Sequence, residues 1–248
     1  MQVMEAVPVR RMVDRSPARK ERSIVSKHLV RDMENLHTEI LSLSAMVEEM
    51  IDKAMRALCE RRYDLAGEVV EADEQIDQRE VHIEDECLKM LALHQPVAID
   101  LRRIATVMKV NNDLERIADL AVNIAERAQC LSDHAEFPIP LGLKRMVTLA
   151  THMVRSALNA FVNLDAHAAR EILVLDEQVD QYNVEVIDRL QQAMRADPEN
   201  VAPALHCFSA ARHIERIADH ATNIAEDVIY LVEGEIVRHM DETPRPTG

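Results

Sequence analysis

The feature that most constrains this chain is an internal repeat. Residues 115–126 read ERIADLAVNIAE and residues 215–226 read ERIADHATNIAE, so ten of twelve positions are identical at an offset of 100. A second pair, DEQIDQ at 73–78 and DEQVDQ at 176–181, recurs at an offset of 103. A period near one hundred residues is too long for a solenoid repeat. The pattern therefore predicts a duplicated small domain.

The composition indicates that the duplicated unit is helical. The 248 residues include 4 Gly, no Trp, 3 Phe and 3 Tyr, whereas hydrophobic residues reach 48%. Strands favour β-branched and aromatic residues, and their turns need Gly. Apolar residues recur at three- and four-residue steps, as at Leu36, Ile40, Leu43 and Val47. We therefore predict an all-α fold of two tandem three-helix bundles that are related by the duplication.

Turn-forming residues divide the chain into segments. Gln95-Pro96 and Asp197-Pro198 are expected to stop helices, because proline cannot continue a helix and restricts the residue before it. The periodicity predicts helices at about 29–59, 65–93, 100–130, 141–164, 167–196 and 199–232. The predicted domains are a basic disordered tail at 1–27, a first three-helix repeat at 28–130, a linker at 131–140, a second repeat at 141–232 and a C-terminal tail at 233–248.

Charge and hydropathy exclude several classes of protein. The formal charge of −15 argues against a nucleic-acid binder, since those proteins carry basic faces. No window approaches the ~20 apolar residues that cross a bilayer, so we expect contact with a membrane only through partners. The 4 cysteines show no pairing pattern and no export signal precedes the repeats. A cytoplasmic protein is therefore expected.

Rows of carboxylates carry the predicted chemistry. In the third helix Glu115 and Asp119 are four residues apart and share a face, and Glu215 and Asp219 repeat this in the sixth helix. Like-charge pairs at this spacing occur at 73/77, 115/119, 176/180 and 215/219. Each such pair costs ~0.2–0.5 kcal/mol, and a bound cation offsets that cost. The rows predict a metal site in each unit, the alternative being a solvated charged face.

The identity of the metal and the possibility of catalysis depend on the other ligands. All-oxygen sites suit Mg²⁺, Ca²⁺, Mn²⁺ or iron, whereas zinc usually recruits Cys or His. His82, His213 and His220 lie close enough in sequence to join. A di-iron carboxylate oxidase, the enzymatic alternative, needs two Glu-x-x-His motifs, and the chain has one, Glu34 to His37. No phosphate loop or nucleophile motif appears, so we predict that the chain is not an enzyme.

Several segments, taken together and in order, resemble the PhoU family of phosphate-transport regulators. They are HLV at 28–30, QPVA at 95–98 with DLR at 100–102, both ERIAD segments, and YLVEGEIVRH at 230–239. The resemblance covers nearly the whole chain apart from the two tails. It implies paired three-helix bundles, each of which holds a multinuclear iron or zinc cluster on its surface, with other divalent cations as alternatives.

The resemblance also implies which residues bind metal. Carried over residue by residue, the implied ligands of the first unit are Asp73, Asp77, Glu80, Glu115 and Asp119. Those of the second unit are Asp176, Asp180, Glu215 and Asp219. Asn183 stands where Glu80 would map, and Ala211 stands where Asn111 does. The second cluster is therefore expected to hold fewer ions or to bind them less tightly.

The function implied by the resemblance is negative regulation of phosphate uptake and of the phosphate-starvation response. The expected protein is a cytoplasmic adaptor between the ATPase subunit of a phosphate ABC transporter and a phosphate-sensing histidine kinase, and a homodimer is expected. The residues alone support a duplicated, metal-binding helical interaction protein. A metal-binding scaffold for some other partner is the alternative.

Overall fold

The computed structural model describes residues 17–237, and their side chains from residue 28 onward. This part of the chain forms six α-helices: α1 (Pro17–Glu60), α2 (Asp64–His94), α3 (Ala98–Cys130), α4 (Leu141–Asn163), α5 (Ala166–Ala196) and α6 (Val201–Glu233). Short 3-10 segments follow α3 at Leu131–His134 and precede α6 at Pro198–Asn200. None of these helices is both long enough and apolar enough to cross a membrane. No strand occurs within residues 17–237, and the all-α class is confirmed.

Helix ends fall at the breaks that the sequence predicts. α2 ends at His94, and Gln95 takes the left-handed conformation, with φ 46°, before Pro96. Asp165 caps the start of α5 by accepting hydrogen bonds at 3.0 Å from two backbone N–H groups of the first turn. Asp197 accepts one at 3.0 Å from the 3-10 segment before α6. These short-range signals fix the corners of the bundles.

α1 begins earlier than the sequence predicts. The periodicity places its start at about Leu29, but the backbone is helical from Pro17. Proline is favoured in the first turn of a helix, where its missing N–H is not needed, and the residues that follow include Ala, Glu, Lys and Arg, which are good helix formers. Residues 17–27 of the predicted disordered tail therefore belong to α1. Residues 1–16 and 238–248 lie outside the described residues.

Each half of the chain forms a three-helix bundle. α1, α2 and α3 pack on one another, as do α4, α5 and α6. Contacts of α3 with α6 and of α1 with α4 join the bundles around one continuous apolar core. Ile117 and Ile217, and likewise Ile124 and Ile224, are equivalent in the repeat and each is 0% exposed. The ERIAD segments thus supply the centre of the core as well as the acidic rows beside it.

Polar contacts join α3 to α6 across the interface between the bundles, and Arg155 of α4 pairs with Glu48 of α1 at 3.4 Å. Lys109 Nζ donates a hydrogen bond to Asp227 Oδ1 at 2.9 Å, and the Asp227 side chain is 3% exposed. His220 Nδ1 lies 2.8 Å from Asp113 Oδ1. Because residues later in α3 pair with residues earlier in α6, these two helices are antiparallel. The interface between the bundles therefore combines an apolar core with polar contacts between side chains.

The cysteines are free, as the sequence predicts for reduced thiols. Cys87 and Cys207 are buried, and this burial raises the pKa of each thiol to about 12. Both therefore remain protonated at neutral pH and act as small apolar core residues.

Candidate metal centre

The first acidic cluster lies where α2 and α3 pack against each other. It comprises three carboxylates of α2 and two of α3: Asp73, Asp77, Glu80, Glu115 and Asp119. The near-helical spacing places the carboxylates of each helix on one face. Asn111, which is 1% exposed, joins the two helices by donating from Nδ2 to the backbone carbonyl of Glu80 at 2.9 Å. The structure thus brings together the two rows that the sequence predicts for this unit.

Burial and mutual repulsion raise carboxyl pKa values in the first cluster. The pKa of Asp73 is raised by desolvation first, and then by the charges of Asp77 and Asp119. The pKa of Glu115 is likewise raised most by desolvation and next by Asp119. Desolvation is also the main reason that the pKa of Glu80 is raised. Carboxylates of both helices therefore repel one another across the seam between α2 and α3.

The first cluster also has unused capacity to accept a cation. Asp73 Oδ1 is buried and accepts no hydrogen bond within the described residues. Arg116 gives partial relief, since its Nε lies 3.3 Å from Glu115 Oε2 and its Nη1 lies 3.6 Å from Asp119 Oδ2. The Arg116 side chain is 51% exposed, so solvent screens its charge. A buried carboxylate oxygen without a donor is costly, and a cation would remove that cost.

The second acidic cluster occupies the equivalent seam between α5 and α6. It comprises Asp176, Asp180, Glu215 and Asp219. The pKa of Asp176 is raised to about 6, by desolvation first and then by the charges of Asp219, Asp180 and Glu215. A hydrogen bond with Thr222 lowers it by a smaller amount. The pKa of Asp219 is raised by desolvation and then by Asp180, so these carboxylates also repel one another.

The two clusters differ in composition. Asn183 takes the place of Glu80, is 5% exposed, and its Oδ1 accepts no hydrogen bond within the described residues. Ala211 takes the place of Asn111, so the hydrogen bond that joins α2 to α3 has no counterpart between α5 and α6. The second cluster has four carboxylates where the first has five. Its weaker or smaller loading with metal remains a prediction.

The histidines considered as further ligands have other contacts. His82 lines a cavity between α1 and α2. His213 Nε2 lies 3.3 Å from Ser209 Oγ, and His220 Nδ1 lies 2.8 Å from Asp113 Oδ1 in the opposite bundle. On a helix, a residue one position from a carboxylate points about 100° away and a residue two positions from it points about 160° away, so none of the three histidines shares the face of its nearest cluster carboxylate.

One residue of the second cluster was not found from the sequence. Thr222 contacts Asp176, and it stands where the first unit has Val122. The other mismatch in the twelve-residue repeat places His220 where the first unit has Leu120, and His220 contacts the opposite bundle. Both differences between the repeats thus mark polar contacts, and comparison of the two copies is the signal that identifies them.

The donor chemistry fits a bound cation. In their present conformations, no three His, Cys, Asp or Glu side chains of the described residues are arranged to hold a metal ion. Without a cation, like charges favour side-chain conformations that keep their oxygens apart. The clusters nevertheless supply only carboxylate oxygens, which suit hard cations, and Asp73 offers a buried oxygen without a donor.

The arrangement around Glu34 and His37 gives the oxidase alternative no support. Both residues line a cavity of about 620 Å³ between α1, α3, α4 and α6, where Phe161 and Leu231 are also among the lining residues. A di-iron site needs a second Glu-x-x-His motif, and the sequence contains none. The cavity lining combines apolar residues with the polar side chains of Glu34, His37, Asp100 and Arg103.

Comparison with known proteins assigns the family. The PhoU domain matches residues 40–128 and 143–228, once in each half of the chain, which confirms the tandem repeat. The Pseudomonas putida protein named phosphate-specific transport system accessory protein PhoU homolog is 39% identical over 217 residues, 87% of this chain and 85% of that protein. The Escherichia coli (strain K12) protein named phosphate-specific transport system accessory protein PhoU is 31% identical over 216 residues, 87% of this chain and 90% of that protein.

Crystal structures extend the match to the fold. PhoU from Pseudomonas aeruginosa has a TM-score of 0.79 at 38% identity and covers 83% of this chain and 99% of its own. The phosphate transport system regulatory protein PhoU from Streptococcus pneumoniae has a TM-score of 0.78 at 30% identity, covering 84% of this chain and 99% of its own. These relatives are named as accessory or regulatory proteins, which confirms the prediction of a non-enzymatic protein. With both of its domains and its fold matched over most of its length, the chain belongs to the PhoU family.

Proposed function

We propose that this chain is an accessory regulator of a phosphate-specific transport system. The observation that carries the proposal is the match of both halves to the PhoU domain, together with relatives of that name that align with 87% of the chain. We place the protein in the cytoplasm, between the ATPase subunit of a phosphate ABC transporter and a phosphate-sensing histidine kinase. In that position it keeps the starvation response silent while phosphate is plentiful.

The physical properties of the chain are consistent with an adaptor. Its two bundles share one core, so they present their outer faces in a fixed relation. The net charge of −15 steers association toward basic patches on a partner. The acidic clusters lie on seams between helices, where partly exposed carboxylates remain within reach of another molecule.

The adaptor role predicts a physical complex with the transporter. When an affinity-tagged copy is purified from cells grown in phosphate-rich medium, the transporter ATPase subunit should co-purify, because signalling by an adaptor requires contact. Deletion of the gene should raise alkaline phosphatase activity and phosphate uptake in the same medium. A deletion strain with normal values of both, and no paralogue to compensate, would contradict the proposal. Recovery of a different partner instead of the ATPase would favour the alternative of a scaffold for another system.

We further infer that each acidic cluster binds iron, zinc or another divalent cation. Asp73, Asp77, Glu115 and Asp119, with Glu80, would hold it in the first bundle; Asp176, Asp180, Glu215 and Asp219 would hold it in the second. The buried oxygen of Asp73 and the raised carboxyl pKa values support this inference. A bound cation supplies positive charge that neutralises the repelling carboxylates, and open coordination positions for an oxygen from a partner.

Metal analysis tests this inference. Protein purified without chelator should contain metal, and Asp119→Ala combined with Asp219→Ala should lower the bound amount in both bundles, because each change removes a ligand. Elemental analysis of both proteins, before and after incubation with iron or zinc, measures the difference. Asp85→Ala, which removes a carboxylate of α2 outside the clusters, is the control and should retain the metal. Equal, near-zero metal in all samples after incubation would contradict the inference. The rows of carboxylates would then be interpreted as solvated charged faces of the helices.

A further inference from the structure

α4 differs in charge from the helix that it duplicates. At the offset of 103, its buried residues match those of α1, as Met153 matches Met50 and Ala157 matches Ala54. α4, at 141–163, contains three Lys and Arg residues and no Asp or Glu; the equivalent stretch, 38–60, contains five Asp and Glu and two Lys and Arg. The net charge is therefore +3 in one copy and −3 in the other. The core is preserved between the copies while the surface charge is reversed.

Two of the three α4 cations, Lys144 and Arg145, lie beside a groove between α4 and α5, whereas Arg155 pairs with Glu48 of α1 at 3.4 Å. This cavity has a volume of about 510 Å³, and its lining includes Leu141, Lys144, Arg145, Leu149, His152 and Tyr182. None of the described residues that line it is acidic, although the chain has 44 Asp and Glu residues. The Arg145 guanidinium lies over the Tyr182 ring, with its carbon 5.8 Å from the ring centroid. The groove thus has an apolar floor with cations along one side.

These cations are not neutralised within the described part of the chain. Lys144, Arg145 and His152 are exposed, and none of them forms an ion pair between residues 28 and 237. On the equivalent face of the first bundle, Glu49 stands in place of His152 and pairs with Lys53 at 2.8 Å. The charges of these two side chains therefore neutralise each other, whereas the α4 side chains beside the groove leave a local excess of positive charge.

The shape and charge of the groove select one kind of partner. Two antiparallel helices leave a furrow that accepts a third helix, as in a bundle, and Leu141, which is 64% exposed, offers apolar contact area at one end. Lys144 and His152 are eight residues apart, about 12 Å along α4, which matches carboxylates two turns apart on a partner helix. At physiological salt the Debye length is about 8 Å, so salt screens the negative charges elsewhere on the chain. The cations beside the groove therefore determine which charge it attracts on a partner.

We propose that the α4–α5 groove docks an amphipathic helix of a partner protein that carries Asp or Glu beside aliphatic residues. This assignment goes beyond the proposed phosphate role, and it depends neither on that role nor on bound metal. An adjoining cavity shares Leu141 and Arg145 but is also lined by Glu185 and Asp188. The acidic stretch of the partner therefore ends near Leu141, where these two carboxylates would repel it.

A designed helix tests the groove directly. The probe is a fluorescent peptide of about 20 residues with Leu at helical spacing and Glu on the flanks; the comparison peptide has Lys in place of Glu. The full chain should bind the Glu peptide more tightly than the Lys peptide in fluorescence anisotropy, despite its net charge of −15. Lys144→Glu combined with Arg145→Glu should weaken binding of the Glu peptide by about tenfold. His152→Glu, which restores the residue type of the first bundle, should weaken it by a smaller factor.

The control is Arg31→Glu combined with Lys89→Glu, which changes the net charge equally on α1 and α2 and should leave affinity for the Glu peptide within about twofold. Circular dichroism confirms that each variant keeps its helices. Failure of the Glu peptide to bind, or equal weakening by both double variants, would overturn the proposal. Two other results would also overturn it, because they assign the groove to another occupant. One is a dimer in sedimentation that Lys144→Glu with Arg145→Glu dissociates; the other is binding of the full chain to phosphatidylserine vesicles without binding of the peptide.

Discussion

Asp176→Asn is expected to stabilise the metal-free protein at pH 7.5, to stabilise it by a smaller amount at pH 5, and to leave its stability almost unchanged below about pH 4. The pKa of Asp176 is raised to about 6 by burial and by its carboxylate neighbours. Above that pH the side chain is ionised in an environment that disfavours the charge, whereas the amide of Asn is neutral. Because Asp176 is partly exposed and screened by solvent, we expect a gain of about 1 kcal/mol in the free energy of unfolding.

The direction of this change in stability follows from proton binding by the folded and unfolded chains. As the pH rises from about 4 to about 6, the unfolded chain has already released the Asp176 proton while the folded chain retains it, so this group lowers stability progressively over that range. His206 and His213 act in the opposite direction, because burial lowers the pKa of each imidazole and stability is lost as the pH falls. The difference between wild type and variant, measured at each pH, therefore isolates Asp176 from these histidines.

Added metal should reverse the order of stability of the wild type and the Asp176→Asn variant. With iron or zinc added at pH 7.5, the wild type should melt above its metal-free form, and Asp176→Asn should gain less because it has lost a charged ligand. Glu177→Gln, at the exposed neighbouring position, is the matched control and should follow the wild type with and without metal. Thermal unfolding in chelator and in metal gives both comparisons. A variant less stable than the wild type in chelator at pH 7.5 would show that ionised Asp176 is not disfavoured there.

Much of the fold could be predicted because its signals are local. Pro96 and Pro198 end helices through the geometry of their own rings, and the repeat of the ERIAD segments places two buried seams at equivalent positions. The start of α1 was missed for a related reason. Residues 17–27 have good helix formers but no apolar periodicity, and the prediction relied on periodicity.

The acidic clusters were partly predictable. Four-residue spacing shows that Asp73 and Asp77 share a face of α2, but it does not show which neighbouring helix that face meets. The contact of Asn111 with the backbone of Glu80 answers this, and it depends on how α2 is rotated against α3. Sequence spacing likewise does not show which helix His82 faces. The rotation of α2 places His82 in a cavity beside α1.

Contacts between the bundles could not be predicted from spacing. Asp113 meets His220, and Lys109 meets Asp227, because α3 and α6 pack antiparallel across the core. The members of each pair are separated by more than one hundred residues, and each bundle has several faces that a second bundle could cover. What the sequence does show is where the copies differ, as at Leu120 and His220. Such differences indicate positions that are equivalent in the two bundles but have different neighbouring residues.

Glu115→Gln combined with Asp119→Asn is expected to derepress phosphate-starvation genes in phosphate-rich medium. Carboxylates that project from two helices need not enclose a cation, so a bound ion retains positions for an oxygen of a partner. Removing two charged ligands of the first cluster should then interrupt signalling while the fold remains intact. Alkaline phosphatase activity should rise toward the level of the deletion strain. Glu215→Gln combined with Asp219→Asn makes the equivalent change in the second cluster and shows whether both sites signal.

A purely structural role for the metal gives a different order of events. If the cation only holds α2 against α3, the same substitutions should first lower the melting temperature in the presence of metal, and signalling should fall only as the amount of protein falls. An immunoblot of the cells and thermal unfolding of the purified variant separate the two cases. Derepression at normal protein level, with a melting temperature in chelator at or above that of the wild type, assigns the first cluster to contact with a partner.

The Gln and Asn side chains of the variant separate a signalling role of the metal from a structural role. They are expected to raise the stability of the metal-free protein and to lower the stability that bound metal adds. Burial and neighbouring charge raise the pKa of Glu115, so a neutral Gln relieves repulsion when no metal is bound. Gln and Asn have nearly the same shape as Glu and Asp, so the packing of α2 on α3 and its contact through Asn111 are preserved. A lower melting temperature in the presence of metal therefore reports lost metal rather than lost packing. If the variant loses its metal yet keeps both its melting temperature and full repression, the metal neither contacts a partner nor supports the fold, and signalling must rest on other surfaces of the molecule.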